Sequence, residues 1–285
     1  MGAGDDAAVL DLGARPECVV TVDLITDGVD FRLSETSLQR IGRKTLAVNL
    51  SDLAAMAARP LAAVVALALP RERAAEIAVG VYEGLLPMAE RYRTAIAGGD
   101  TNTWDGPLAI SVTLIGQATE RGVLRRSGAR PGDAIVVTGE FGGSILGKHF
   151  DFEPRVDQAL LLNDRYELHA GMDVSDGLSL DLARLCQASG CGALVDLSAV
   201  PIAAAARQLA QSSGGQKTPL DHALSDGEDF ELLLAVPAAV ARQMVAEQPL
   251  DVPLGIVGQF VSEPGLWQVA PTGGRMPLVP RGYLH

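Results

Sequence analysis

Six acidic clusters could do chemistry in this chain, because carboxylates beside glycine and serine can hold hard cations. The clusters lie at 4–6, 23–30, 49–52, 98–100, 173–177 and 226–229. Mg²⁺ prefers oxygen ligands and is usually bound by one or two carboxylates together with the phosphates of a substrate. The sequence contains no Walker-type Gly-Lys-Ser/Thr loop and no kinase-type glycine loop. If the chain handles nucleotide phosphates, we expect it to do so mainly through metal ions.

The cluster Asp173-Val174-Ser175-Asp176-Gly177 follows a short predicted strand and opens a predicted helix. Backbone N–H groups at a helix start attract phosphate, and flanking carboxylates can bridge to it through a metal ion. The alternative is a helix cap, for which Asp and Ser are both common. A helix needs one cap, whereas two Asp and one Ser crowd these five residues, so we favour the functional interpretation.

The other clusters are weaker signals when each is taken alone. Gly98-Gly99-Asp100 could bring backbone close to a ligand and offer a metal ligand, but it is also an ordinary turn sequence. Asp52 is expected either to cap a helix or to be buried against a cation. The turn at 226–229 could hold a cationic substrate group or be solvated, and the basic stretch at 125–133 could reach a nucleotide phosphate or be a linker. His149 and His169 are interpreted as structural.

Composition excludes several classes of partner. The chain has 285 residues and a net charge of −12, which argues against nucleic acid or an anionic membrane as partner. The longest apolar run, at 61–69, is too short to span a bilayer. The three cysteines show no C-x-x-C pairing and the N-terminus has no signal-peptide pattern. We therefore expect a cytoplasmic protein with free thiols.

The local pattern predicts two α/β halves in which helices and strands alternate. In the first half, strands are expected at 17–25, 60–70, 94–97 and 108–115, and helices from a Ser34 cap to 48 and at 72–93. Asn49 and Ser51 are expected to interrupt the first helix, and the apolar run at 60–70 indicates a strand buried on both faces. A polar, turn-rich stretch at 118–132 marks the boundary.

The second half is predicted to contain five strands and three helices. The strands are expected at 134–138, 172–174, 230–236, 254–261 and 267–269, and the helices after 139–144, at 176–190 and at 237–247. Residues 212–215 are expected to form a flexible loop. These elements place the acidic clusters at the ends of strands and the beginnings of helices.

Six motifs in sequence order resemble the thiamine-monophosphate kinase family, which belongs to an aminoimidazole-ribonucleotide-synthetase-like superfamily. The motifs lie at 4–10, 47–56, 98–101, 126–133, 173–179 and 226–232, and together they cover nearly the whole chain. The resemblance implies a two-domain fold of the α/β class. An N-terminal domain at 1–118 would bind ATP and metal and pair its sheet across a homodimer, and a C-terminal α/β domain would occupy 119–285. The implied activity is ATP-dependent phosphorylation of thiamine monophosphate to thiamine diphosphate.

The resemblance also implies roles for individual residues. The Mg²⁺ ligands would be Asp6, Thr21, Asp23, Asp52, Asp100, Asp173 and Asp176. The contacts to ATP would be Gly99, Asp100, Arg126 and Ser175, and the catalytic groups would be Asp100, Asp176 and Arg126. The contacts to the substrate would be Asp30, Glu228 and Tyr283. A phosphate monoester acceptor is already largely dianionic near neutral pH, so the reaction needs positioning and charge stabilisation rather than a strong base.

The chain departs from the family pattern in three places. Val22 replaces a usual hydroxyl residue next to Asp23. Asp30, within Gly28-Val29-Asp30-Phe31, stands where the family has a substrate-contacting His. We expect Asp30 to face a metal ion or the thiazolium cation, because an acid would repel the phosphate. The family normally has a segment ahead of the first motif, whereas this chain starts almost at that motif, which leaves open a truncated start or a missing flap.

Two other functions remain open at this point. The first is another ATP-using enzyme of the superfamily, such as a selenophosphate or aminoimidazole ribonucleotide synthetase. The second is a non-catalytic paralogue that binds metal or nucleotide. A panel of substrates with ATP separates the first from a thiamine-monophosphate kinase, and ATP binding without ADP release would indicate the second.

Overall fold

The computed structural model describes residues 4–11, 13, 17–212, 214, 216–270 and 273–284. A five-stranded sheet comes from the first part of the chain. Its strands are β1 (Ala8–Leu10), β2 (Cys18–Thr26), β3 (Arg59–Pro70), β4 (Ala95–Trp104) and β5 (Ala109–Gln117). The order is β1-β2-β5-β3-β4, in which β3 and β4 are parallel and the other neighbours are antiparallel. Helices α1 (Leu38–Ala55) and α2 (Ala74–Arg91) follow β2 and β3.

Helix α1 is continuous, so the expected interruption is wrong. Asn49 Nδ2 donates to the Thr45 carbonyl within the helix at 3.1 Å, which keeps its amide compatible with the helical backbone. The cap is Ser37, whose hydroxyl accepts the Arg40 N–H at 3.3 Å, rather than Ser34. Ile41 and Leu53 are fully buried and fix the inward side of the helix.

Strand β3 is buried on one face only, which contradicts the expectation from its continuous apolar run. Ala63 and Val65 face the core, whereas Val64 is 39% exposed. Val22 of β2 and Val64 both pair with Thr113 of β5, so they lie in one row of the sheet. Val22 and Leu24 are 61% and 62% exposed. We call Val22, Leu24 and Val64 the outer face of the first sheet.

Strand β4 extends through Gly98-Gly99-Asp100, which was expected to follow a shorter strand. A Cβ on Gly99 would lie 1.8 Å from the Val65 carbonyl oxygen, so this position requires glycine for strand packing. The register with β3 shifts between Ala63 and Val64. Nearly all of β4 is exposed, and it forms one edge of the sheet.

A seven-stranded sheet comes from the second part of the chain. Its strands are β6 (Asp133–Thr138), β7 (Ala170–Asp173), β8 (Gly192–Val195), β9 (Leu232–Pro237), β10 (Leu254–Val261), β11 (Gly265–Val269) and β12 (Arg275–Pro277). The order is β12-β11-β8-β10-β6-β9-β7. All neighbours are antiparallel except β8 and β11.

The helices of this part are α3 (Lys148–Asp151), α4 (Val156–Arg165), α5 (Leu178–Ser189), α6 (Ala204–Ser212), α7 (Pro219–Ser225) and α8 (Ala238–Glu247). A short 3-10 turn at Ser144–Leu146 precedes α3. The sequence analysis did not predict α4, α6, α7 or β8. The expected loop at 212–215 begins at the last residue of α6, and Ser213 and Gly215 lie outside the described residues.

One hydrophobic core joins the two sheets. Leu53 of α1, Leu114 of β5, Leu162 of α4 and Leu234 of β9 belong to the same buried cluster. Helix α1 packs against α4 and β7 as well as against its own sheet. The end of α1 therefore lies beside the end of β7, which brings Asp52 close to Asp173. None of the helices in the described part of the chain is long and apolar enough to cross a membrane.

Candidate active site

Three carboxylates from distant parts of the chain meet between the two sheets. Asp6 precedes β1, Asp52 lies in the last turn of α1, and Asp173 ends β7. One carboxylate oxygen from each lies within 4.8 Å of the other two. We call these residues the carboxylate cluster. Such spacing suits one hard cation bound by oxygen ligands.

Hydrogen bonds orient each member of the carboxylate cluster. The Thr21 hydroxyl donates to Asp52 Oδ2. The Ser51 hydroxyl donates to Asp173 Oδ2 at 2.5 Å. Arg126 binds Asp6 through two N–H groups, with Nε 3.0 Å from Oδ2 and a terminal nitrogen 2.6 Å from Oδ1. Ordered donors of this kind hold ligating oxygens in place before a metal ion arrives.

The cluster lacks enough positive charge for its carboxylates to ionise at their usual pH. Burial, reinforced by the charges of Asp23 and Asp173, raises the pKa of Asp52 well above its usual value. Burial, reinforced by the charge of Asp6, raises the pKa of Asp173 in the same way. Burial also raises the pKa of Asp6 although Arg126 opposes the shift. A divalent cation would supply the missing charge, so these residues fit Mg²⁺.

Asp23 extends the acidic site. Burial and the charge of Asp30 raise its pKa to about 6, although a hydrogen bond with Asp52 opposes the shift. Its Oδ2 is buried and has no hydrogen-bond partner among the described residues. A buried carboxylate oxygen without a partner is costly, and a metal ion would satisfy it.

A cavity of about 520 Å³ lies beside the cluster. Its lining includes Asp23, Asp52 and Asp173 together with Asp30, Asp176 and Glu228. Apolar side chains line it too, among them Val29, Ile145 and Leu209. The cavity therefore combines an oxygen-rich surface for metal and phosphate with apolar surface for an organic group.

The helix-cap interpretation of Asp173 and Asp176 is wrong. Helix α5 begins after Gly177, and no side chain of the described residues caps it. Instead, Asp181 accepts the backbone N–H groups of Asp176 and Gly177 at 2.9 and 3.0 Å. Arg184 pairs with the Asp176 carboxylate. Asp52 also cannot be a helix-start cap, because it lies in the last turn of α1.

The acidic turn at 226–229 is partly buried rather than fully solvated. Asp229 is completely buried and accepts the Gly142 N–H at 2.9 Å, and burial raises its pKa to about 7. Glu231, just beyond the turn, is held by two N–H groups of Arg155 and by Lys148. These two acids support the turn, whereas Glu228 lines the cavity. Glu228 has a φ of 61°, so the turn is held in a conformation that is uncommon for a side-chain-bearing residue.

Lys44 was missed by the sequence analysis and is the partner of Glu228. Its side chain is only 1% exposed, yet it lines the cavity. It donates to the Asp30 carbonyl at 3.0 Å and to Glu228 Oε1. Lys44 lies three residues after Ile41 on the buried side of α1, so a lysine at an apolar helix position was the available signal.

Comparisons with known proteins show the family to which this chain belongs. The family models for the AIR synthase related protein match this chain, the N-terminal domain at residues 4–118 and the C-terminal domain at residues 138–266. A thiamine-monophosphate kinase from Rhodopirellula baltica is 49% identical over 100% of this chain and 91% of its own length. The chain belongs to the thiamine-monophosphate kinase family. A relative with that name from Caulobacter vibrioides is 33% identical over 92% of this chain and 79% of its own length.

Solved structures of this kinase family share the fold. The thiamine-monophosphate kinase from Stenotrophomonas maltophilia K279a is 36% identical, with a TM-score of 0.78 over 94% of this chain and 90% of that chain. A structure described as AaThiL complexed with AMPPCP and TMP is 26% identical, with a TM-score of 0.84 over 98% of this chain and 90% of that chain. The family resemblance and the aminoimidazole-ribonucleotide-synthetase-like α/β fold expected from the sequence are confirmed.

The kinase-family motifs bring most of the predicted site residues together. Those that belong to the carboxylate cluster or line the cavity are Asp6, Asp23, Asp30, Asp52, Asp173, Ser175, Asp176, Glu228 and Tyr283. Thr21 and Arg126 reach the cluster through hydrogen bonds. Gly99 and Asp100 lie instead on exposed β4 and do not line the cavity.

The basic stretch before β6 is fixed to the site rather than being a loose linker. The Arg126 N–H donates to Asp5 Oδ1 at 2.7 Å. The Ser189 hydroxyl donates to the Arg126 carbonyl at 3.0 Å.

The Asp30 carboxylate accepts the Thr26 N–H at 2.7 Å, so it stabilises its own turn as well as lining the cavity.

Proposed function

We propose that this chain transfers the γ-phosphoryl group of ATP to thiamine monophosphate and forms thiamine diphosphate. The carboxylate cluster beside a mixed polar and apolar cavity is the observation that carries the proposal. The 49% identity to a thiamine-monophosphate kinase over the whole chain supports the choice of substrate. The AMPPCP and TMP described for a relative of the same fold support the choice of phosphoryl donor and acceptor.

Asp6, Asp23, Asp52 and Asp173 would hold Mg²⁺ in this reaction. When bound, Mg²⁺ neutralises the charge of the phosphates that must approach each other. Thr21 and Ser51 keep the Asp52 and Asp173 carboxylates oriented for this role. Asp176, Asp100 and the Thr21 hydroxyl are proposed as further ligands, and Arg126 as a contact to ATP that also holds Asp6.

The protein's own contribution is positioning rather than proton transfer. The acceptor is a phosphate monoester whose second pKa is about 6, so it is largely a dianion near neutral pH and needs no strong base. Glu228, held by Lys44, and Tyr283, whose N–H donates to the Asp176 carbonyl at 2.9 Å, are proposed to contact the organic part of the substrate. Ser175 and Gly99 are proposed as backbone contacts to ATP.

We propose further that two domains, 1–118 and 119–285, divide the work. The first supplies Asp6, Asp23 and Asp52, and the second supplies Asp173 and Glu228. The first sheet leaves Val22, Leu24 and Val64 exposed on its outer face, and β4 forms an edge that pairs with no further strand of the described residues. Both features support pairing of this sheet with a second copy in a homodimer. Use of ATP and three free cysteines support a cytoplasmic location.

The test is ADP release measured with a panel of acceptors. We expect release with thiamine monophosphate in the presence of Mg²⁺, and only background release with thiamine or with selenide. Consumption of ATP with selenide but not with thiamine monophosphate would indicate a different synthetase of the superfamily. ATP binding without ADP release for any acceptor would indicate a non-catalytic paralogue.

A further inference from the structure

A histidine–aspartate pair in the cavity wall has no part in the proposed phosphoryl transfer. Nδ1 of His222 lies 2.8 Å from Oδ2 of Asp226. The Gly143 N–H donates to the same oxygen at 3.0 Å, and Lys217 Nζ donates to the other oxygen at 3.3 Å. Because a carboxylate can only accept, a neutral His222 carries its hydrogen on Nδ1, and Nε2 presents a lone pair.

Nε2 of His222 is buried and has no hydrogen-bond partner among the described residues. The residue is 7% exposed, and both His222 and Asp226 line the cavity. Buried polar atoms of folded proteins nearly always have partners, so an unsatisfied acceptor in a cavity wall indicates a group that the cavity binds. The fixed Asp226 carboxylate prevents the imidazole from turning to find a partner elsewhere.

The lining of the cavity indicates which chemical group this is. Ile145 and Leu209 line the same cavity and offer apolar surface. The Ser144 hydroxyl is already donated to the Gly227 carbonyl at 2.6 Å. One acceptor beside apolar surface suits a flat ring that carries an amino group. A phosphate suits it poorly, because its oxygens would meet a lone pair and the Asp226 carboxylate.

We propose that His222 Nε2 accepts a hydrogen bond from the exocyclic amino group of an aminoheterocyclic ligand. The identity of the ring rests on the proposed function, which makes it the aminopyrimidine of thiamine monophosphate. Asp226 is then a positioning residue that fixes the imidazole, and His222 selects an amino group over an oxo group at that ring position. No covalent bond is made or broken in this step.

The experiment is equilibrium binding of two ligands, measured by calorimetry without turnover. The ligands are thiamine monophosphate and oxythiamine monophosphate, in which an oxo group replaces the amino group. We expect the wild-type chain to bind the amino ligand at least about tenfold more tightly. His222→Asn retains an N–H near the Nδ1 position but removes Nε2. We expect it to weaken binding of the amino ligand about tenfold and to leave the oxo ligand unchanged.

A matched control is available in the chain. His149 is also 7% exposed and its Nδ1 also lies 2.8 Å from an oxygen, the Ser144 carbonyl, but it lines a neighbouring cavity. His149→Asn should leave the preference for the amino ligand unchanged. If His222→Asn fails to fold in melting curves, His222→Gln replaces it, because the glutamine amide can place a polar atom near the Nε2 position and should retain part of the preference.

Three results would overturn the inference. An unchanged preference in His222→Asn would remove His222 from the binding site. An equal loss for both ligands would indicate contact with the phosphate or a purely structural role. If the wild-type chain still binds thiamine monophosphate, both of these results leave the proposed function standing. If the wild-type chain binds neither ligand, the proposed function and the inference are overturned together.

Discussion

Among single residues, Asp173 connects the two halves of the protein through its carboxylate. It ends β7 in the second sheet, and its carboxylate accepts a hydrogen bond from Ser51 of α1 at 2.5 Å. Its pKa is raised by burial and by the charge of Asp6. A group that is costly to ionise without a cation is expected to be needed for function rather than for stability.

Asp173→Asn should therefore separate activity from folding. The amide oxygen can still accept the Ser51 hydrogen bond, but one negative charge of the cluster is lost. We expect kcat to fall at least about 100-fold, while the melting temperature without metal stays equal or rises because repulsion is relieved. Asp176→Asn should also lower kcat.

Kinetics and melting curves in EDTA check this prediction. Asp164→Asn, at an exposed position of α4, is the control and should change neither quantity. Near-normal turnover in both Asp173→Asn and Asp176→Asn would place the metal site elsewhere.

Among the secondary-structure elements, strand β4 contains a position, Gly99, where a side chain cannot fit. A Cβ would lie 1.8 Å from the Val65 carbonyl oxygen, whereas a Cβ on Gly98 would meet nothing within 4 Å. The two glycines have nearly the same φ, 157° and 155°, so backbone strain is common to both substitutions. We expect Gly99→Ala to lower the unfolding free energy by about 2 kcal/mol more than Gly98→Ala.

Urea unfolding of the two variants measures this difference. Equal stabilities would mean that strand packing does not require a glycine at position 99. The proposed contact of Gly99 with ATP would then be the main reason for a glycine there.

The acidic turn at 226–229 should make the stability of the protein depend on pH. The pKa of Asp229 is raised from 3.8 to about 7, mainly by burial. Between these values the folded state holds a proton that the unfolded state has released, so this group's contribution to stability falls as pH rises from about 4 to about 7. Asp229→Asn has no ionisable group at this position and so does not lose this stability. The loss in the wild type is at most about 4 kcal/mol of unfolding free energy, because each unit of pKa difference corresponds to about 1.36 kcal/mol.

Urea unfolding in EDTA at pH 5 and pH 8 tests the sign. The stability of Asp229→Asn relative to the wild type should increase between pH 5 and pH 8. A relative stability that stays constant over that range would mean that Asp229 is already ionised in the folded protein.

Local sequence predicted the elements that depend on local signals. The helix patterns of α1, α2, α5 and α8 and most strands were found, because their apolar spacing is periodic. The extent of β4 was missed because its two glycines resemble a turn, and only the pairing with β3 explains them. The pairing of Lys44 with Glu228 and of His222 with Asp226 was missed because each depends on contacts that local sequence does not specify.

The sequence analysis found all three members of the carboxylate cluster, although it missed details of the fold around them. Asp6, Asp52 and Asp173 were singled out from their motifs and do converge. The motif order indicated the family, but the structure was needed to exclude the cap interpretations and to divide the acidic turn into Glu228 at the cavity and Asp229 in the interior.

At the scale of the whole molecule, the outer face of the first sheet is expected to be covered by a second copy. Val64 is 39% exposed in the row that also contains Val22. Val64→Glu places a charge on this face and should shift the protein from dimer to monomer in sedimentation experiments. Val79→Glu is the control, because Val79 is 59% exposed on α2 away from the sheet face. A wild-type protein that sediments as a monomer at micromolar concentration would contradict the dimer.

Transfer of labelled phosphate from [γ-³²P]ATP to thiamine monophosphate tests the central claim most directly. We expect labelled thiamine diphosphate to form with Mg²⁺, to disappear when EDTA is added, and to return when Mg²⁺ is restored in excess, because the carboxylate cluster has too little positive charge without a cation. Label that reaches thiamine diphosphate equally well in metal-free buffer would contradict the metal-dependent mechanism. No labelled thiamine diphosphate under any metal condition would contradict the proposed activity.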